Sequence, residues 1–428
     1  MNQNHPAEKF LHYSFGLFLF FSFISISVSQ IFLFLSTVFF LWLMISRRKE
    51  TSFHFPVSMK ILAILYLWAT FATLFHENRA KNFREFTDLW LYVPVLVLAN
   101  FYFLRKDLFP SAVKFFLAGA LFTGFVGVLE YILLVDAKGL FKYGLSHGLD
   151  HPDVRLPIVM GGGRVAGFMG NPLTYSGIMI LPVLFYFLRI FFPQSHFPGL
   201  FTRLEKTITR KQYFLQTILG WILYFFNLFA SASRSATLGI LAAMTLGAMR
   251  FSRKIFFILT SILVIFFAAV MTFSPSSRAR IALIFTHQEL GIQQRFVTYR
   301  VATNIMAEAP LTGKGPRNFD VMYKTYFPEA RSYDHAHNDL LDKGASWGIP
   351  ALLMFLIFYL VPAGQFWKAM RNPDPEISYY AAIGFFGIVA FFISGLFQCY
   401  LTDSEDIVHY AMILGLGELA LRRAQTEN

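Results

Sequence analysis

The sequence predicts an all-α polytopic membrane protein of about 12 transmembrane helices, with a large, partly helical outer loop between helices 9 and 10, periplasmic if the cell is Gram-negative. Three observations carry this prediction. Only 14% of the 428 residues are charged while 56% are hydrophobic, and a soluble domain carries about 25% charged residues. Apolar runs recur along the whole chain, too many and too long for one buried core. Lys and Arg clusters fall in the gaps between runs, and with twelve spans they lie on one side.

The runs, in order, are Phe10–Ser27, Gln30–Ile45, Val57–Phe75, Leu89–Phe103, Ala112–Val135 and Pro172–Phe192. The second half of the chain gives Tyr213–Phe229, Ala236–Met249, Ile255–Phe273, Trp347–Val361, Tyr379–Leu401 and Ile407–Leu421. Several fall short of the ~20 residues of an ideal spanning helix. Ser25–Gln30 is the expected turn between the first two. The first run continues almost at once into the second and no small-residue cleavage site stands out, so no cleaved signal peptide is expected. The chain reads as a single integral membrane domain over residues 1–428. A lone cysteine, Cys399, excludes an internal disulfide and a cysteine-based zinc site.

Orientation follows from Lys and Arg in short loops. Ser46–Lys49, Arg105–Lys106, Arg203–Lys211, Arg250–Lys254, Lys368–Arg371 and Arg422–Arg423 define the cytoplasmic side. Both termini are then inside, and Ser274–Ser346 is outside. Within it, Ile292–Glu308 carries a partly helical apolar pattern. Gly313–Phe319 reads as a turn and Arg317–Phe327 as a second short helix.

The outer side also holds cations, among them Arg79, Lys81, Arg84, Arg155, Arg164, Arg234 and a series from Arg278 to Lys343, within a formal charge of +12. Long loops are exempt from the positive-inside rule. Arg164 and Arg234, however, sit beside membrane ends in short or glycine-rich contexts, which points to an anionic ligand at the outer face.

Four stretches bear chemistry, each with a plainer alternative. Gly161–Pro172, GGGRVAGFMGNP, could wrap a ligand on glycine backbone and fork Arg164 onto a phosphate. It lacks the Lys-Ser/Thr of a P-loop, and the alternative is a flexible entry loop. Ser231–Gly239 sets Arg234 in a tight outer turn between helices that small residues let approach. The alternative there is snorkelling to headgroups. Arg295 and Arg300 precede a helix-like run closed by Pro310 and Gly313–Gly315, and for Arg300 a solvated helix face is the better reading. The fourth is Tyr333–Pro350, YDHAHNDLLDKGASWGIP, where His335, His337 and Asn338 sit between water and lipid. Ionisable groups at such a boundary usually have a function. His337 and Asn338 read as the opening of a helix, with Asp339 and Lys343 on one face. A histidine in a first turn would be kept neutral by the helix dipole. His-x-His with adjacent aspartates could instead bind zinc, but no separate cluster supplies further soft ligands.

Gly163-Arg164, Ser233-Arg234, Arg295…Tyr299…Pro310…Gly313…Gly315 and His335-Ala336-His337-Asn338, in this order, resemble the O-antigen ligase family, which also contains O-antigen polymerases. The likeness runs from about Gly161 to Leu353. The aromatic position is often Trp in the family and is Tyr299 here. The resemblance implies a GT-C-like glycosyltransferase of the bacterial inner membrane, active at the periplasmic face in lipopolysaccharide biosynthesis. It implies transfer of a glycan from undecaprenyl diphosphate to the lipid A–core, or to another lipid-linked glycan in a polymerase, by an inverting, metal-independent route. On that reading Arg164, Arg234 and Arg295 hold the diphosphate and His337 is the base, with Asn338, His335 and Tyr299 in support. No metal, cofactor or nucleic acid is expected. The partners are the two substrates and membrane lipids, and the chain is expected to act as a monomer. A lipid-linked sugar flippase or transporter is the reading from another class. Such proteins carry their long connector inside at mid-chain, whereas here the longest loop is outside. A metal-dependent hydrolase would need a metal cluster that the sequence does not offer.

Overall fold

The computed structural model describes residues 6–47, 53–140, 158–159, 162–192, 210–273, 283, 286, 290–329 and 333–427. Counting helices of eight residues or more, and setting aside the 3-10 helix Phe83–Tyr92, the first half contains α1 (Pro6–Phe21), α2 (Ile26–Ser46), α3 (Val57–Thr73), α4 (Val93–Leu104), α5 (Phe109–Leu133) and α6 (Pro172–Arg189). The second half contains α7 (Arg210–Ala230), α8 (Arg234–Phe251), α9 (Arg253–Phe273), α10 (Leu290–Glu308), α11 (Phe319–Tyr326), α12 (Asp339–Ala369), α13 (Pro375–Gly395) and α14 (Ser404–Glu427). Each of the twelve apolar runs contains helix, but the turn between the first two falls at Ser22–Ser25, ahead of the expected Ser25–Gln30, and the run Tyr379–Leu401 is helical only to Gly395. Among the described residues, seven helical segments are long and apolar enough to cross a membrane: Ile26–Ser46, Arg79–Leu104, Phe109–Leu133, Pro172–Arg189, Lys211–Ala230, Asp339–Ala369 and Pro375–Gly395. The protein is an all-helical, multi-pass membrane protein. The only strands among the described residues are the two-residue antiparallel pair Ile158–Val159 and Gly162–Gly163.

The bundle is organised around α6, α13 and α14. α13 packs on α8, α12 and α14, and α14 also packs on α4. Lipid tails are as apolar as these side chains, so close packing rather than exclusion from water holds such helices together. Gly239 of α8 shows how this is done. A Cβ there would collide with the Ser394 hydroxyl and the Ala390 carbonyl of α13. By contrast, α2 turns Ile31, Phe34, Val38, Leu41 and Ile45 outward, as expected of a lipid-facing helix.

Two helices run outside the apolar segments, α10 and α11. The expectation of helical structure at Ile292–Glu308 and Arg317–Phe327 is met by Leu290–Glu308 and Phe319–Tyr326. They share a small core of Val301, Ala302, Ile305, Phe319 and Tyr323 with Ala336 and Ala345. Residues 274–282, 284–285, 287–289 and 330–332 of the segment Ser274–Ser346 fall outside the described residues, as do Arg155 and Gly161.

α12 departs from the sequence reading. It is two helices joined at a kink, where Trp347 (φ −134°) and Gly348 (φ 85°, ψ 175°) leave helical geometry. A kink in a membrane helix frees backbone groups that need new partners. The turn after α10 supplies them. Lys314 N–H donates to Ala345 O and Gly315 N–H to Ser346 O, each at 3.0 Å, while Ile349 N–H donates to Pro310 O at 2.8 Å. The Pro310…Gly313…Gly315 spacing is therefore a plug for the break in α12. From the other side Trp68 Nε1 donates to Trp347 O at 3.0 Å.

Candidate functional site

Arg164 lies in the coil between Gly162–Gly163 and the α6 entry. This coil is held from two directions. The buried Glu130 carboxylate at the end of α5 accepts the N–H groups of Gly167 (2.8 Å), Ala166 (3.2 Å) and Ala137 (2.7 Å). On the other side Val165 N–H donates to Ala230 O at 3.1 Å and Arg164 Nε donates to Ser231 O at 3.0 Å. Asn171 caps α6 by accepting Leu173 N–H at 3.0 Å. The Arg164 coil is thus sewn to the turn that leads into Arg234.

That turn is tight, with Ala232 in the left-handed region at φ 55°. Arg234 is the first residue of α8 and is exposed. Burial lowers the Arg164 pKa and Arg234 lowers it further, while Tyr400 opposes both. Two guanidiniums whose fields reach each other, at a helix N-terminus, suit an anion.

The histidines sit at the start of α12. Asn338, not His337, is the cap. Its Oδ1 accepts Leu341 N–H at 3.0 Å and the helix begins at Asp339. This corrects the expectation that His337 opens the helix. His337 precedes the cap with φ 52°, a left-handed backbone in which its own N–H donates to His335 Nδ1 at 3.2 Å. Its pKa is lowered to about 4, first by burial, then by His335 and Arg295, against the opposing pull of Gln398 and Asp342. A neutral ring was expected, and burial rather than the helix dipole is the principal cause. Asp339 and Lys343, one turn apart on α12, act on each other electrostatically. Lys343 Nζ lies 3.8 Å from Asp342 and 5.5 Å from the Trp347 ring centroid, while Asp339 accepts Leu401 N–H at 3.2 Å.

Arg295 and Tyr299, one turn apart on α10, face this segment. Tyr299 Oη donates to Leu396 O at 2.8 Å and lies 3.5 Å from His337 O. Burial raises its pKa and Arg295 opposes the rise. Arg300 is exposed.

The element that joins these groups is one that sequence reasoning missed. It is Leu396–Asp403, between α13 and α14, and the apolar run Tyr379–Leu401 takes in all of it but Thr402 and Asp403. The helix ends at Gly395. Leu396 O takes Tyr299 Oη and Asn338 Nδ2, the latter at 3.0 Å. Gln398 Oε1 lies 2.9 Å from His337 Nδ1. The Tyr400 hydroxyl meets Ser176, Ser233 and Ser235 hydroxyls at 3.2, 3.0 and 2.9 Å. Asp403 accepts the Thr174 hydroxyl at 2.8 Å. Gln398 and Tyr400 are two residues apart, so their Cα atoms are separated by at most about 7 Å. One contacts His337 and the other the serines flanking Arg234. The structure therefore gathers Arg164 with Arg234, and Arg295 with Tyr299, His335, His337 and Asn338, and both groups meet on this loop. The available signal was a polar interruption, Gln398 to Asp403, ahead of the last apolar run.

Among the described residues no three His, Cys, Asp or Glu side chains group as metal ligands. Residues 219–356 match the family model described as O-Antigen ligase. The match spans Arg234, Arg295, Tyr299, His335, His337 and Asn338, and leaves Arg164 and the Leu396–Asp403 loop outside it. No curated protein matches the chain.

Proposed function

We propose that this membrane protein, whose residues 219–356 match the O-antigen ligase family model, is an O-antigen ligase. It transfers a glycan from undecaprenyl diphosphate to a hydroxyl of the lipid A–core at the periplasmic face. The observation that most supports this is the convergence of the arginine turn and the His337 segment on one loop, which sets anion-binding groups beside a neutral imidazole.

Arg164, Arg234 and Arg295 hold the donor diphosphate and neutralise the charge that grows on it as the glycosidic C–O bond breaks. His337 removes the acceptor proton while the acceptor oxygen attacks the anomeric carbon from the opposite face, which inverts it. The leaving group is undecaprenyl diphosphate, and the imidazolium returns its proton to water. His335 orients the His337 backbone, and Asn338 and Tyr299 fasten the segment to Leu396. No step requires a metal.

The test is glycan transfer by purified protein with lipid-linked donor and lipid A–core, with and without EDTA. His337→Ala should lower turnover about 10²–10⁴-fold, donor binding should persist, and His335→Ala should cost less. Because the His337 pKa is near 4, activity should be flat through neutral pH and fall only as the ring is protonated, well below pH 6.5. The reverse ranking of the two variants, or loss of activity on chelation, would overturn the assignment. A polymerase would use the same site with a second lipid-linked glycan. In a deletion strain, rough core with polymer left on its lipid carrier marks a ligase, and core capped by one repeat marks a polymerase.

A further inference from the structure

We propose that Gln398 is a positioning residue for the transfer, its side-chain carbonyl accepting the Nδ1–H of His337 so that the Nε2 lone pair is the basic site. The proposal rests on His337 as the base. In neutral imidazole one nitrogen donates and the other accepts, and the hydrogen bond made by one fixes the role of the other. Gln398 Oε1 faces Nδ1 at 2.9 Å, which assigns the proton to Nδ1 and leaves Nε2 to take a proton from the acceptor hydroxyl.

The amide is well fixed. Gln398 is 6% exposed. Its loop is pinned before it by Leu396 O, which takes two side-chain donors, and after it by Leu401 N–H on Asp339 and by Tyr400 among three serines. The ring itself is confined at 4.3 Å by His335 and at 5.2 Å by Tyr333. A carboxylate in this place would also fix the tautomer, but it would stabilise imidazolium and slow return of the proton. A neutral amide orients without adding charge. That matters here because the other groups acting on His337 partly cancel. They are Arg295 on α10, His335 on the same segment and Asp342 on α12, and His335 in turn acts on Asp403 after α13.

The test compares Gln398→Glu and Gln398→Met with wild type and His337→Ala in the transfer assay, as a function of pH. Gln398→Glu keeps an acceptor at Nδ1 and adds charge, so the acid limb of the kcat profile should move up by about 1–3 pH units, with activity recovered at alkaline pH. Gln398→Met keeps the length without an acceptor, so kcat should fall about tenfold or more at an unchanged donor KM. In 15N-histidine-labelled protein, the resonances lost in His337→Ala should show a protonated Nδ1 and an unprotonated Nε2. An unmoved acid limb in Gln398→Glu, wild-type kcat in Gln398→Met, or a protonated Nε2 in the neutral ring would each overturn the proposal. If His337→Ala stays active, the base assignment fails instead, so the two failures are separable.

Discussion

Arginine and lysine differ at this site for a geometric reason. Arg164 Nε–H donates to Ser231 O; on the proposed reading its terminal nitrogens fork onto a phosphate, as the guanidinium plane allows and an ammonium does not. Arg234→Lys keeps the charge at the head of α8 and loses the fork. Turnover should therefore fall although the fold is retained. Full removal of a charge-assisted phosphate contact should cost on the order of 2–4 kcal/mol of transition-state stabilisation. Kinetics of the Arg164, Arg234 and Arg295 alanine variants check this. Full turnover in all three folded variants would reduce the arginines to membrane anchors.

At the scale of the element, the kink in α12 ties the histidine segment to the turn between α10 and α11. Gly348 has φ 85° and a Cβ there would collide with the Leu311 carbonyl. Backbone cannot yield at that point without loosening the Pro310–Gly315 turn that takes up Ala345 O and Ser346 O. Gly348→Ala combines a left-handed backbone with a backbone clash, so it should destabilise by more than about 1–3 kcal/mol. A lowered unfolding temperature in detergent and a loss of transfer should appear together. Wild-type values for both would show that the kink does not depend on glycine.

For the whole molecule, the proposed layout has both termini in the cytoplasm and the outer segment in the periplasm. Reporter fusions after Arg48, Lys211 and Arg371 should read as cytoplasmic and one near Gly315 as exterior. A cytoplasmic signal at Gly315 would overturn the placement of the site. The prediction is sharp because α10, α11, the plugged kink and His337 form one packed unit, so they must all lie on the same side.

By itself the sequence determined the helices, because a 20-residue apolar run in lipid has no way to satisfy its backbone except as a helix or a closed barrel. It also marked Arg164, Arg234, Arg295 and His337, since cations and imidazoles at membrane ends have a desolvation cost that makes them conspicuous. It could not mark Glu130, a single polar residue within an apolar run and indistinguishable there from a tolerated one. For Gln398 and Tyr400 it offered only the polar interruption ahead of the last run, with nothing to say what they meet. Only the tertiary structure brought Gln398 to His337, Tyr400 to the serines around Arg234, and Glu130 to the Arg164 coil, across separations of 61, 167 and 37 residues. The same holds for the left-handed backbone of His337 and the break at Gly348. Local sequence opens a helix at His337 and gives no break at Gly348, and it is the partners in the Leu396–Asp403 loop and the Pro310–Gly315 turn that decide otherwise.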